Sequence, residues 1–182
     1  MKTEHHKAFL EAYQPCHDAF VRYCTAIAYG KIEAEDLVQD VLATAWKNFD
    51  QIREKDKLLH YMMRVAKHKV YSFLRKPKYQ EEIAEHYAEN LRSKGVSADV
   101  VLDIQELYRM LDKLPFAQKQ AIILFEISGF SMKEIAAIQD STEGAVKTKI
   151  SRGRAKLKSF YEAESAHASM HSVFQTIQSI ML

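Results

Sequence analysis

The stretch SMKEIAAIQDSTEGAVKTKISRGRAKL, residues 131–157, decides the reading of this chain. Ser131 stands three residues before Glu134, the spacing at which each side chain can satisfy an otherwise unpaired amide at the start of a helix. Ile135, Ala136 and Ile138 then supply an apolar face, and Gln139, Asp140 and Ser141 form a short polar break. Ser141 or Thr142 is suited to cap a second helix, in which Ala145, Val146, Ile150 and Leu157 fall toward a core. Lys147, Thr148, Lys149, Ser151, Arg152 and Arg154 fall on the outer side. A helix, a tight turn and a second helix with a basic, hydroxyl-bearing outer face suit the DNA major groove. Thr142, Glu143, Lys147 and Thr148 stand where base edges would be met, and the later cations where phosphates would be. A solvated basic helix in a bundle has the same charge pattern. The capped helix and short turn before it favour DNA.

Upstream, apolar residues recur at helical spacing throughout. Phe9, Tyr13, Phe20, Tyr23, Cys24, Ile27 and Ala28 mark helix interrupted near Pro15 and closed at Gly30. A helix over about 33–48 has acids in its first turn and an apolar face of Leu37, Val38, Val41, Leu42, Ala45 and Trp46. Residues 49–57 read as a loop. A third helix over about 58–76 turns Leu59, Met62, Met63, Ala66 and Val70 inward and ends before Pro77. Residues 78–97 are mostly polar and charged and read as a linker with room for one short helix. Val101, Ile104, Leu107, Leu111 and Leu114 open a second apolar-periodic block, punctuated by Pro115 and followed by a helix with Ile122, Ile123, Phe125 and Ile127. With 5 Gly and 3 Pro in 182 residues, turn chemistry for connecting strands is scarce. The expected fold is all-α, two small helical domains (1–77 and 100–161) joined by a linker (78–99), with a tail (162–182) carrying one more amphipathic helix.

A formal net charge of +2 is too small to argue for nucleic acid, so its distribution carries the argument. Residues 57–78 hold Arg64, Lys67, Lys69, Arg75 and Lys76 without an acid, and residues 147–158 are likewise basic without an acid. Between them Glu81, Glu82, Glu85, Glu89, Asp99, Asp103 and Glu106 form an acidic segment, which is expected to cover a basic patch in a closed free form. The eight histidines lack metal-ligand spacing, so no metal is expected. Cys16 and Cys24 in an apolar helical context fit a reducing cytoplasm, and no apolar run is long enough to insert in a membrane. No nucleophile–base pair or phosphate-binding glycine loop is present, which argues against an enzyme and against a cofactor.

Three groups of residues together resemble the extracytoplasmic-function sigma factors of RNA polymerase. They are AEDLVQDV (34–41) followed by Ala45-Trp46, YMMRVAKH (61–68) with Leu74-Arg75-Lys76, and GAVKTKISRGR (144–154) preceded by Leu114-Pro115 and Glu134-Ile135-Ala136. The likeness spans about 9–160 and departs from the usual pattern at Tyr61, His68, Ser72, Lys119 and Ala145. It implies that core RNA polymerase and promoter DNA are the partners, with an anti-sigma factor as a further candidate. Glu35, Asp36, Gln39 and Asp40 would then dock on polymerase. Arg53, Lys57, Arg64, Lys67, His68, Tyr71, Arg75 and Lys76 would act at the -10 element, where an opened strand needs positive charge and flat surfaces. Thr142, Glu143, Lys147, Thr148, Lys149, Ser151, Arg152 and Arg154 would bind the -35 duplex. An operator-binding regulator that never touches polymerase and a helical scaffold without DNA share parts of the pattern. The tail stripe of Met170, Val173, Phe174, Ile177 and Met181 lies beyond the resemblance and suits either folding back on a domain or a regulatory partner.

Overall fold

The computed structural model describes residues 2–52, 54–73, 80–93, 95–164 and 170–180. The described residues form the α-helices α1 (Lys2–Tyr13), α2 (His17–Ala28), α3 (Ala34–Lys47), α4 (Leu58–Phe73), α5 (Gln80–Ser93), α6 (Ala98–Asp112), α7 (Phe116–Ile122), α8 (Met132–Ile138), α9 (Glu143–Glu164) and α10 (Met170–Ile180). There is no strand among the described residues. Pro15 lies in a 3-10 turn, Gln14–Cys16, between α1 and α2, because its ring removes a backbone donor and disfavours continuous α-helix.

Helices α2, α3 and α4 pack on one another, and α1 lies against α4. Their core contains Phe20, Tyr23, Ile27, Leu37, Val41, Met62, Met63 and Val70. The expected loop over 49–57 contains two 3-10 turns, and its Phe49 is buried beside Phe9 with ring centroids 5.2 Å apart. Trp46, on the expected apolar face of α3, stays partly exposed and takes His5, His6 and Phe9 edgewise.

In the second half α7 and α8 both pack on α9, and α6 closes over them. The chain from α7 runs into a π turn, Ile123–Ile127, where Ile123, Leu124 and Ile127 are all buried. An ordinary amphipathic helix hides one stripe. This segment has α2 on one side and α10 on another, so more of its circumference is apolar. The tail helix α10 folds back on α6 and the π turn, burying Val173, Phe174 and Ile177, and Gln178 Nε2 donates to the Glu126 carbonyl. Met181 lies outside the described residues.

One expectation needs correction. The polar segment after Lys78 contains the 14-residue helix α5, which buries Ala88 and Leu91 and packs on α6. A narrow apolar stripe suffices for a helix when a neighbour covers it, even in a mostly charged sequence. In the acidic segment, Glu85 pairs with Arg92 of its own helix at 3.1 Å, and Tyr87 packs edgewise on Tyr29. The halves meet through α2 on the π turn and α4 on α8.

Candidate nucleic-acid and protein interfaces

The helix-turn-helix forms as its residue types dictate. Ser131 Oγ accepts from the Glu134 amide at 3.3 Å, and Glu134 Oε2 accepts from the Ser131 amide at 2.8 Å, closing the capping box of α8. The turn places Asp140 at φ 49°, a left-handed conformation that Asp tolerates better than most side chains. Thr142 Oγ1 accepts from the Ala145 amide at 3.2 Å and so caps α9.

On α9, Val146, Ile150 and Leu157 are buried, whereas Ala145, expected inward, is exposed. The face rotates because Gly153 is the fourth buried position. A Cβ built there would lie 2.5 Å from Ile122 Cδ1, so the missing side chain lets α9 approach α7 closely. Thr142, Glu143, Lys147, Thr148, Ser151 and Arg152 are exposed. The Thr148 hydroxyl donates to the Gly144 carbonyl at 2.9 Å. Lys149, expected outward, is half-buried, its Nζ donating to Gln139 Oε1 at 2.8 Å and Ser141 Oγ at 3.2 Å. Burial, and then Lys67 nearby, lower its pKa. Arg154 pairs with Glu126 and lies over the Phe125 ring.

On α3, Glu35, Asp36, Gln39 and Asp40 are exposed. The first three edge an open groove of about 880 Å³ between α2, α3 and α5, floored by Val21, Tyr29 and Tyr87. Asp40 points elsewhere and accepts from Lys69 Nζ of α4 at 2.9 Å.

The basic face of α4 is the most changed by folding. Lys57 pairs with Glu54 at 2.5 Å, Lys67 is half-buried, and His68 is exposed. Arg64 Nη2 donates to Asp140 Oδ1 of the helix-turn-helix at 2.8 Å. Exposed Tyr71 meets the Phe116 ring edgewise at 5.1 Å between centroids. Arg53, Arg75 and Lys76 lie outside the described residues. Phe73, at the end of α4, is exposed as well.

A buried seam also joins the halves. Gln120 Nε2 donates to the Tyr23 hydroxyl at 2.9 Å, and Tyr29 stacks on Tyr108 with centroids 3.9 Å apart. Asp112 accepts from Lys31 Nζ, 2.8 Å from its Oδ1, and from Lys119. Burial, followed by the like charge of Lys31, lowers the Lys119 pKa to about 8 against the opposing pull of Asp112. Burial alone would raise Asp112, but the two lysines outweigh it and hold its pKa below the usual value. These partners are too far apart in sequence to be read from a local pattern. Among the described residues there is no cluster of three metal-ligating side chains and no helix long and apolar enough to cross a membrane.

Comparison with known proteins matches residues 12–78 to the Sigma-70 region 2 family and residues 104–157 to the Sigma-70, region 4 family. The chain is 34% identical over 135 residues to the ECF RNA polymerase sigma factor EcfG of Rhodopseudomonas palustris (strain TIE-1), covering 73% of this chain and 74% of that protein. It is 29% identical over 136 residues to the ECF RNA polymerase sigma-E factor of Escherichia coli (strain K12), covering 67% and 70%. Among solved structures it is similar to the sigma factor RpoE in complex with the anti-sigma factor NepR from Bartonella quintana, with a TM-score of 0.60, 26% identity, and 86% and 99% coverage. Its fold also matches CnrH in complex with the cytosolic domain of CnrY, with a TM-score of 0.63, 24% identity, and 88% and 91% coverage.

Proposed function

The chain belongs to the extracytoplasmic-function sigma factors of RNA polymerase, and from that premise we propose a division of labour between its halves. As an alternative sigma factor it directs transcription initiation, binding core polymerase in the cytoplasm and promoter DNA. The first half, about 1–77, docks on polymerase and holds the opened -10 strand. The second, about 100–161, binds the -35 duplex, and residues 78–99 join them.

The observation that carries this reading is the pairing, in one chain, of an exposed acidic face on α3 with the capped, basic N-terminal half of α9. Glu35, Asp36 and Gln39 on the rim of the groove favour a basic polymerase surface, where charge mainly sets encounter rate and specificity. Asp40, already held by Lys69, is a secondary contact. Lys147, Thr148, Ser151 and Arg152 face outward for duplex DNA, with Thr142 and Glu143 at the helix start. Lys149 serves the turn first, and Arg154 reaches phosphate only by leaving Glu126. At the -10 strand Lys67, His68 and Tyr71 supply charge and a flat ring, together with Arg53, Lys57, Arg64, Arg75 and Lys76. Strand opening here draws on binding free energy and needs no bond-breaking chemistry or cofactor. The similarity to sigma factor RpoE, solved in complex with the anti-sigma factor NepR, supports an anti-sigma factor as a third partner.

The test is a run-off transcription assay in which the full chain is added to core polymerase on a genomic promoter library. Specific initiation is expected. DNA binding without initiation would instead assign an operator-binding regulator, and neither activity would assign a scaffold.

A further inference from the structure

Arg154 stands where a phosphate would be met and is held away from it. Lys147, Ser151 and Arg154 follow one another at steps of four and three residues, so they line one exposed face of α9. Arg154 lies about 10 Å further along the axis than Lys147, at about 1.5 Å per residue, where a cation on a major-groove helix meets backbone rather than base edges. Its guanidinium is already engaged. Nε donates to Glu126 Oε1 at 2.5 Å, Nη2 pairs with the same oxygen, and the Phe125 ring centroid lies 5.4 Å from Cζ. Both partners belong to the π turn, which packs on α10, and Gln178 Nε2 of α10 donates to the Glu126 carbonyl. The two ends of the pair are unequal, the Arg154 side chain being 51% exposed and that of Glu126 14%. Moving Arg154 to a phosphate would therefore strip the cation from a carboxylate that water reaches little, and a desolvated charge costs far more to leave unpaired than an exposed one.

Resting on the reading of this half as a duplex-binding module, we propose that Glu126 is a charge-masking residue that withholds Arg154 from DNA phosphates and so sets the affinity of the chain for DNA of any sequence. Sequence-independent binding comes from neutralised phosphates, each adding about 0.9 to the slope of log affinity on log salt. Masking Arg154 removes one such contact and leaves Thr142, Glu143, Lys147 and Thr148, at the start of the helix, untouched. Non-promoter sequence vastly outnumbers promoters, so weaker background binding leaves more of the chain free for polymerase. The tail helix braces the π turn that carries the mask, although it lies beyond residues 104–157, which match the region 4 family.

The test measures binding of the full chain to a 40-base-pair duplex of arbitrary sequence between about 50 and about 200 mM salt. Two variants are compared with the parent: Glu126→Gln, and Glu126→Gln combined with Arg154→Ala. Glu126→Gln keeps the shape of the side chain and removes its charge. It should steepen the salt slope by about 0.9 and raise affinity on the order of tenfold at the low end and threefold at the high end, since a fourfold rise in salt removes a factor of about 3.5 per phosphate contact. The double variant should return to the slope and affinity of the parent, because a masked pair and a neutral pair present the same charge. A gain that survives in the double variant would overturn the proposal, since loss of the carboxylate's repulsion would then explain it. An unchanged slope in Glu126→Gln would overturn it as well, and so would a double variant about one slope unit below the parent, which would put Arg154 on a phosphate already. Circular dichroism checks the fold; should Glu126→Gln not fold, Arg154→Ala alone decides, an undiminished slope supporting the proposal and a loss of about one unit overturning it. Absence of duplex binding in every variant would also overturn it, whereas failure to initiate in the run-off assay counts against the sigma-factor reading and leaves these slope differences standing.

Discussion

Two glycines of one helix should respond to the same substitution with opposite sign. At Gly144, in the first turn of α9, an added Cβ meets nothing within 4 Å. Gly144→Ala therefore gains helix propensity, up to about 1 kcal/mol. At Gly153 the added carbon would lie 2.5 Å from Ile122 Cδ1, 3.3 Å from Ile122 Cγ1 and 3.6 Å from Gln118 Cβ. Ile122 is fully buried, so its displaced methyl must intrude on other core atoms. Overpacking of this kind costs about 1–3 kcal/mol, which exceeds the roughly 1 kcal/mol gained in propensity. Net destabilisation of about 1 kcal/mol is expected for Gly153→Ala, a fall in melting temperature of about 2–4 °C for a chain of this size. Gly153→Val should lose more, since it adds two methyls and worsens propensity. Urea titrations followed by circular dichroism give both values, with an unchanged m-value required for the comparison. If Gly153→Ala stabilises as much as Gly144→Ala, the close approach of α9 to α7 is wrong, and with it the orientation of the DNA-facing side chains.

Other expectations follow from single contacts. Ser131→Ala removes one half of the capping box and should cost about 1 kcal/mol in the same titration, with Glu134→Ala overlapping rather than adding. Lys119 has a folded pKa lowered to about 8, so between about pH 8 and 10.5 the unfolded chain binds more protons than the folded one. Stability should rise with pH across that window through this cluster, and Lys119→Met should abolish the rise; a slope of opposite sign in the parent chain would contradict the burial argument. Arg152→Ala should weaken duplex binding and lower the log–log salt slope by about 1, as a phosphate contact does, whereas unchanged affinity would remove Arg152 from the interface.

Helix order was legible because its causes are local. Pro15, Gly30 and Pro115 interrupt helix wherever they stand, and the Ser131–Glu134 box forms within four residues. Helix α5 was harder, since the buried positions among its described side chains, Ala88 and Leu91, give almost no periodic signal until α6 covers the helix. The face of α9 was misread by one position. Ala145 is apolar but exposed, and buried Gly153 has no side chain to register in an apolar pattern.

Most of the helices, the two basic surfaces and the family likeness follow from period, capping and motif order, which are properties of neighbouring residues. Which of those charges are already occupied depends on docking between distant segments. Arg64 and Asp140 are 76 positions apart, Lys31 and Asp112 are 81 apart, and Tyr23 and Gln120 are 97 apart. Pairing at such separations depends on how buried faces dock, since a solvated Lys or Arg and one bound across an interface have the same side chain and differ only in what packing brings within hydrogen-bonding distance.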